Sequence, residues 1–467
     1  MLSKSQLQFA GEFLLEDSKI LSTSGNVFDI KDLIEEISIY EDIFTSTISG
    51  SITFQDTTNI VKQFPIVGEE RLILKLATPQ EKESPDTTID YTKNPLVITR
   101  VSGRTTTNTT AQLVTLKFTS IESLRNQTCR ISQSYKGQPS DIVEKIIRDK
   151  SYLASTKRLF KEKTANNVKV IFPNIRPFYC IMHLLQRSNS ANHADSPSFL
   201  FYETTKGFHM RTFDGLCNED IAMGFKESVG SSLDEQGTID VKRQIETIVN
   251  YEIVSQKDTT RNITSGAISS KLLSHDVYNK RLDLYKYDYL SNFEKDIHPD
   301  NGESRPIISE SKDPDTNKML TENEDTKLYV NSTSSGYSFA EDSNYPYQSD
   351  NLNRTLQRRT GRINQFGGGI VMNLEINGNT AIKVGDKINL QINNVSTIDN
   401  NTLDNELSGN FIITSLRHIF TQSKELKHKI VMQVTKDSIV GNYLPSTGIS
   451  NTESLGLDAG TSETIEL

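Results

Sequence analysis

The 467-residue chain has no tryptophan, three cysteines and only 35% hydrophobic residues, against roughly 45–50% in ordinary globular chains. Each shortage excludes something. No apolar run approaches the about 18 residues that a membrane-spanning helix needs, so membrane insertion is not expected. The opening, MLSKSQLQFAGEF, lacks the apolar segment of a secretory leader. Cys129, Cys180 and Cys217 are odd in number and far apart. That argues against a disulfide framework and for assembly in a reducing cytoplasm. Basic charge is short as well: 51 Lys and Arg stand against 60 Asp and Glu, a net of −9. Nucleic-acid binders draw affinity from basic stripes that neutralise phosphates, so this chain as a whole repels DNA.

What is present is alternation. In STISGSITFQD, Ile48, Gly50, Ile52 and Phe54 alternate with small polar residues, the period of a half-buried strand. VGEERLILKL places Leu72, Leu74 and Leu76 on one face, and PLVITRV and LVTLKFT read as two further strands. TTNIVKQFP reads as a short turn or helix closed by Pro65. Helical spacing follows. PSDIVEKIIRDK offers Ser140 as an N-cap and Ile142, Val143, Ile146 and Ile147 as a stripe. Pro177 suits the start of a second helix with Ile181, Leu184 and Leu185 inward, and FLFYETTKGFHMRTF reads as a hairpin turning at 205–207.

The expected fold is β-rich and multidomain (α+β), with two similar antiparallel β-barrels around an α/β domain. Residues 1–125 make the first barrel, 126–240 the α/β domain, and 241–255 with 356–440 the second barrel. Residues 256–355, polar and turn-rich, form a surface insertion or arm. The last stretch, 441–467, has no Lys or Arg and reads as a flexible acidic tail.

The two β blocks resemble each other. Val67-Gly68-Glu69 precedes RLILKL, and Val384-Gly385-Asp386 precedes KINLQI. Thr99 follows Gly68 by 31 residues and Thr414 follows Gly385 by 29; Phe118 follows by 50 and Val434 by 49. Glycine permits a tight turn before each strand, and the acid can bond the turn amides. A duplicated unit matters, because a homotrimer of it would present six similar barrels and match threefold partners to sixfold ones.

These residues also carry a family resemblance. FDIKDLIEEISIYEDIF, SGSITFQD and FPIVGEERLILKL resemble the opening barrel of the baseplate hubs of contractile, T-even-like phage tails, which are related to the hub region of VgrG-type spikes. NIRPFYCIMHLLQRSNS with SFLFYETTKGFHMRTFDGL is similar to that family's helix and hairpin, and INGNTAIKVGDKINLQI with LSGNFIITSLRHIF to the close of its second barrel. The resemblance implies a structural homotrimer in the virion baseplate, assembled in the host cytoplasm. It would join the sixfold tail tube to a threefold central spike and leave a channel through which DNA passes without specific binding. The implied partners are the spike and the tube or tube-initiator proteins, with tape-measure and wedge proteins as further neighbours. Alternatives are the hub of a phage-derived secretion or injection particle, or a glycan-binding or glycan-cleaving tail protein.

No cofactor, metal or catalytic group is expected. Cys180-x-x-His183 with His193-x-Asp195 has metal-like residue types, but Cys180 and His183 flank an apolar helix stripe. Glu35/Glu36, adjacent on a helix in this reading, and Glu69/Glu70 are acid pairs among sixty acids, not the spaced pair a glycosidase needs. No GxSxG elbow occurs. Gly367-Gly368-Gly369 lacks the Lys and helix of a phosphate loop and reads as a hairpin turn or bulge between Ile363 and Ile370. Arg354, Arg358, Arg359 and Arg362 form the one dense basic run, read either as a contact to an acidic partner subunit or to the chain's own tail, or as a solvated face.

Overall fold

The computed structural model describes residues 9–57, 66–79, 87–108, 111–193, 196–227, 240–277, 280–308, 312, 315–323, 326–333, 349–394, 403–422 and 426–440. The tail at 441–467, the segment 58–65 and Asp195 lie outside the described residues.

The alternating segments become strands with their apolar residues inward. The N-terminal unit holds β1 (Leu14–Leu21), β2 (Val27–Asp29), β3 (Ile34–Asp42), β4 (Ser49–Asp56), β5 (Arg71–Ala77), β6 (Thr88–Asp90), β7 (Leu96–Asn108) and β8 (Ala111–Thr119). Six of them follow the order β1-β5-β7-β8-β4-β3, while β2 adds to β1 and β6 to β5. Ile52, Phe54, Leu72, Leu74, Leu76, Val114, Leu116 and Phe118 fill its core. Glu35 and Glu36, expected on a helix, lie on strand β3, with Glu35 at a break in its register against β4.

The middle domain runs through α1 (Ile121–Thr128), β9 (Ile131–Gly137), α2 (Pro139–Arg148), β10 (Leu159–Lys161), β11 (Val168–Ile175), α3 (Pro177–Leu185), β12 (Phe199–Thr204), β13 (Gly207–Thr212) and α4 (Phe213–Cys217). Ile142, Val143, Ile146 and Ile147 of α2 pack against Ile181, Leu184 and Leu185 of α3 in a separate core. Pro139 takes the first helical position of α2, so Gln138 rather than Ser140 is its N-cap. The hairpin β12–β13 turns at 205–206.

The second barrel uses β14 (Ile221–Glu227), then α5 (Val241–Ile245), β15 (Thr247–Ser255), and, after a long insertion, β20 (Ile370–Asn377), β21 (Lys387–Gln391), β22 (Gly409–Thr421) and β23 (Lys427–Lys436). Its order β14-β21-β22-β23-β20-β15 closes through β14–β15. The barrel begins at Ile221, earlier than the expected 241, because β14 pairs in parallel with β21. That strand shows no clean alternation of burial, so periodicity did not mark it.

The two barrels repeat strand for strand: β1, β5, β7, β8, β4 and β3 hold the places of β14, β21, β22, β23, β20 and β15. Ile98 pairs with Phe118, and Ile413 with Val434. Register breaks recur at Thr99 and Thr414, and at Glu35 and Val249. Two features depart: β1 runs antiparallel to β5, whereas β14 runs parallel to β21, and among the described residues β1 does not pair with β3, so the first unit is left open where β14–β15 closes the second.

The repeated turn is geometric. Gly68 and Gly385 have φ of 101° and 84°, conformations that side chains resist. The acid that bonds the first turn is Glu70, not Glu69: its carboxylate accepts from the amides of Val67, Gly68 and Glu69 at 2.7, 3.0 and 3.2 Å. Glu69 itself is exposed. In the second turn Asp386 accepts from the Lys383 amide at 3.1 Å and pairs with the Lys383 ammonium. Both acids also offer their carbonyls, Glu70 to the Ile98 amide and Asp386 to the Ile413 amide.

The insertion between β15 and β20 carries α6 (Thr259–Ser265), β16 (Ser269–Asp276), β17 (Arg281–Asp288), α7 (Tyr289–Phe293), β18 (Ser304–Pro306), β19 (Leu328–Thr333) and α8 (Ser349–Gly368). Strands β17-β16-β19 form their own sheet, and β18 pairs with β24 (Ser438–Val440). Residues 356–368, expected in the second barrel, belong to α8. Its final glycines are not a hairpin turn. A side chain at Gly368 would collide with Asn262 and one at Gly367 with Arg261, so their smallness lets α6 lie against α8, with Asn262 Nδ2 donating to the Gly368 carbonyl at 3.0 Å.

A Cβ at Gly385 would run into the Tyr202 hydroxyl, whereas Gly25, at φ 89°, faces open space. Gly385→Ala is therefore expected to cost about 2–4 kcal/mol and Gly25→Ala about 1 kcal/mol, read as the difference in urea midpoints at unchanged slope.

Candidate functional site at the junction of the barrels

The alternation that builds each barrel also builds the seam between them. Residues 415–421 of β22 pair antiparallel with residues 36–42 of β3, from Ser415↔Asp42 to Thr421↔Glu36. Each barrel lends the other an apolar side chain across this seam. Phe420 is buried in the first core, edge-on to Phe13 at 5.2 Å, and Ile43 is buried in the second. Full burial of such a side chain contributes about 1.5–3 kcal/mol. On the outer face Arg417 reaches Ser38 Oγ at 3.0 Å and Glu36 at 3.2 Å. Beyond the seam, Thr78 and Thr380 exchange hydrogen bonds, each amide donating to the other's hydroxyl at 3.2 and 3.0 Å.

Ile37, Ile39, Glu41 and Ile43 all face inward along β3 and beyond its end. Glu41 thus brings a carboxylate into the core. One oxygen accepts from the Thr205 amide at 2.6 Å and the other from the Val384 amide at 3.0 Å. Three units meet on this one group: the first barrel, the hairpin turn of the middle domain, and the repeated turn of the second barrel. Burial drives the carboxyl from 4.5 up to about 7, against the pull of those two amides and with the Asp386 carboxylate adding to the rise.

A second buried centre ties the middle domain to the first barrel. Lys157 Nζ donates to Glu122 at 2.7 Å and to Glu203 at 2.6 Å. Glu203 also accepts from the Ile48 amide at 3.2 Å and from the Ser120 hydroxyl. Burial pulls the Lys157 ammonium down, but the two carboxylates outweigh it and hold it above its ordinary range.

The basic run lies largely inside the molecule. Arg362 is fully buried, paired with Asp437, within 3.3 Å of Asp214 and donating to the Ile297 carbonyl. Asp437 also meets His298 Nδ1 at 2.8 Å. Burial pushes the Asp437 carboxyl up, yet Arg362 and His298 together hold it well below the usual range. Arg358, half-buried, reaches Asp296 at 2.6 Å, and Arg359 donates to the Phe199 carbonyl at 3.2 Å. Arg362, read from the sequence as a partner contact or a solvated face, is neither: it is an internal tie between α8, α4 and Asp437, just past β23. The Arg354 side chain lies outside the described residues.

Among the described residues the metal-like Cys180, His183 and His193 do not form an ion site. Cys180 is buried among apolar side chains, its thiol pushed up to about 12 by burial; burial and then Arg187 bring His183 down to about 4. Among the described residues no three His, Cys, Asp or Glu side chains are placed to hold an ion.

Glu41, Glu203 and Lys157 were not singled out from the sequence. Glu41 had a signal, since the alternation of IEEISIYEDI puts it on the apolar face; Lys157 had none.

Glu41→Ala strands the Thr205 and Val384 amides and should cost about 2–4 kcal/mol in urea unfolding. A carboxyl whose pKa is raised on folding binds an extra proton between about 4.5 and about 7. Its contribution is full below that window and is lost as pH rises through it. Wild-type stability should therefore fall from about pH 5 to about pH 8 more steeply than that of Glu41→Gln. Lys157→Met leaves two carboxylates unpaired in the core and should cost about 3–5 kcal/mol by the same assay.

No family model matches the chain, and no curated protein matches it significantly. Among solved structures, the tail protein from Neisseria meningitidis MC58 is similar over 91% of this chain and 97% of its own, at 10% identity and a TM-score of 0.52. The 43 kDa tail protein of prophage MuSo2 from Shewanella oneidensis is similar over 90% of this chain and 97% of its own, at 7% identity and a TM-score of 0.50. At these identities the likeness concerns the fold: this chain has a β-rich architecture shared with phage tail proteins.

Proposed function

We propose that this chain is the structural hub of a contractile phage baseplate. Three copies form a ring of six similar barrels that joins a sixfold tail tube to a threefold central spike, without catalysis of its own. The duplicated six-strand unit carries the reading. A chain with two equivalent barrels halves the symmetry of whatever it stacks on, so three chains offer a sixfold-like face to a tube and a true threefold face to a spike. The fold shared with two phage tail proteins supports a tail component.

The chemistry of the buried centres fits a scaffold. Glu41, Lys157 and Arg362 bind neighbouring segments of the same chain. The net charge of −9 suits a channel that DNA crosses without binding, since a basic lumen would hold phosphate. Spike, tube or tube-initiator proteins are the direct neighbours in this reading, with tape-measure and wedge proteins beyond them.

The native mass of the purified chain at micromolar concentration tests it. One chain weighs 52.5 kDa, so a trimer weighs about 157 kDa. A trimer is the expected result; a stable dimer or tetramer would overturn the threefold-to-sixfold reading.

A further inference from the structure

Within one chain the barrels meet where the second half of β22 pairs with β3. The duplication gives each of these strands a counterpart: β7 stands where β22 stands, and β15 where β3 stands. The counterparts share breaks at Thr99 and Thr414 and at Glu35 and Val249, while β7 adds breaks at Ser102 and Thr107 and β15 one at Val254. Yet among the described residues their equivalent edges are open. Past Val97 no described strand meets the edge of β7 that turns away from β8, and Arg100, Ser102, Arg104, Thr105 and Thr106 are exposed. β15 meets β14 only at Thr247 and Ile248. Beyond them Val249, Ile253 and Val254 are 53%, 42% and 51% exposed.

An open edge carrying β-branched residues is a template for another strand. Position narrows the occupant. In the sheet order β7 lies three strands from β3 around the first barrel, and β15 three strands from β22 around the second. Each barrel therefore has its used edge on one side and its open counterpart on the other, the layout of a unit that repeats head to tail.

We infer that β7 of one copy pairs antiparallel with β15 of a second copy, repeating between chains the junction that β22 and β3 make within one. Carried through the equivalent pairings, the register sets Thr105 against Glu252 of the partner subunit, as Ile419 stands against Ser38. It sets Arg104 against Ile253 of the partner subunit, as His418 stands against Ile39. The contact is heterologous, so copies join in a closed ring or an open filament; closure at three rests on the hub reading above.

Disulfide trapping tests this in a Cys129→Ser background, since Cys180 and Cys217 are buried. Neighbouring pairs of an antiparallel ladder alternate between close and wide spacing, so one of T105C/E252C and R104C/I253C has the spacing a disulfide needs. After mild oxidation, one double variant should run on a non-reducing gel as a species of three linked chains, while each single variant stays unlinked. A native trimer in which neither pair links would overturn this interface and leave the hub reading standing. Linked chains extending in a ladder beyond three would uphold the interface and overturn the three-chain ring. Covalent dimers from T105C alone would mean that β7 meets β7 and would overturn the interface, as would a chain that stays monomeric and unlinked throughout the micromolar range.

Discussion

The short antiparallel seam between β3 and β22 is the interaction on which the rest of this molecule depends. It fuses two barrels into one continuous sheet and lets each bury a side chain of the other, Phe420 in the first core and Ile43 in the second. A period-two strand cannot slip by one residue without turning its apolar set outward, so the seam fixes the register of both barrels together. Glu41 sits on that same strand and converts the seam into a three-way joint, because its two oxygens hold the middle-domain hairpin and the second repeated turn. A buried carboxylate is costly when unpaired. Its two amide donors, at 2.6 and 3.0 Å, make the cost tolerable and the geometry specific.

Duplication supplies the two barrels, and divergence makes them different tools. Five strands keep their order and direction, while the sixth place is taken by β1 in one unit and by the reversed β14 in the other. The first unit joins β3 to β4 by a short turn; the second places its whole insertion at the equivalent position, between β15 and β20. That insertion is tied down by charge as well as by apolar packing. Arg358 and Arg362 on α8 reach Asp296, Asp214 and Asp437, carboxylates drawn from the insertion, α4 and the residue just past β23. Removing one member would leave a buried charge, which keeps such clusters intact once formed.

Much of this was legible in the chain itself. Leu72, Leu74 and Leu76, or Val114, Leu116 and Phe118, declare their strands by alternation, and all six are buried. The spacing from Gly68 to Thr99 and from Gly385 to Thr414 locates equivalent breaks in β7 and β22. The failures have physical causes. A glycine triplet has the same composition whether it turns a hairpin or lets two helices touch, and only Asn262 and Arg261, a hundred residues away, decide for the latter. The arginine run resembles a solvated face because its carboxylate partners are remote in sequence. Glu69 was the natural acid of the first turn by analogy with Asp386, but Glu70 faces inward and reaches three amides. Glu41 stands on a readable face, yet nothing local reveals the two amides that come to meet it.

The central claim is that a duplicated barrel turns three chains into a six-barrel ring. A density map of the isolated assembly viewed down its axis tests that most directly. The account predicts six barrel-sized lobes around an open channel, alternating in type, with the insertion projecting from every second one. A ring with any lobe count other than six, or a particle in which barrels of the same type are neighbours, would contradict it.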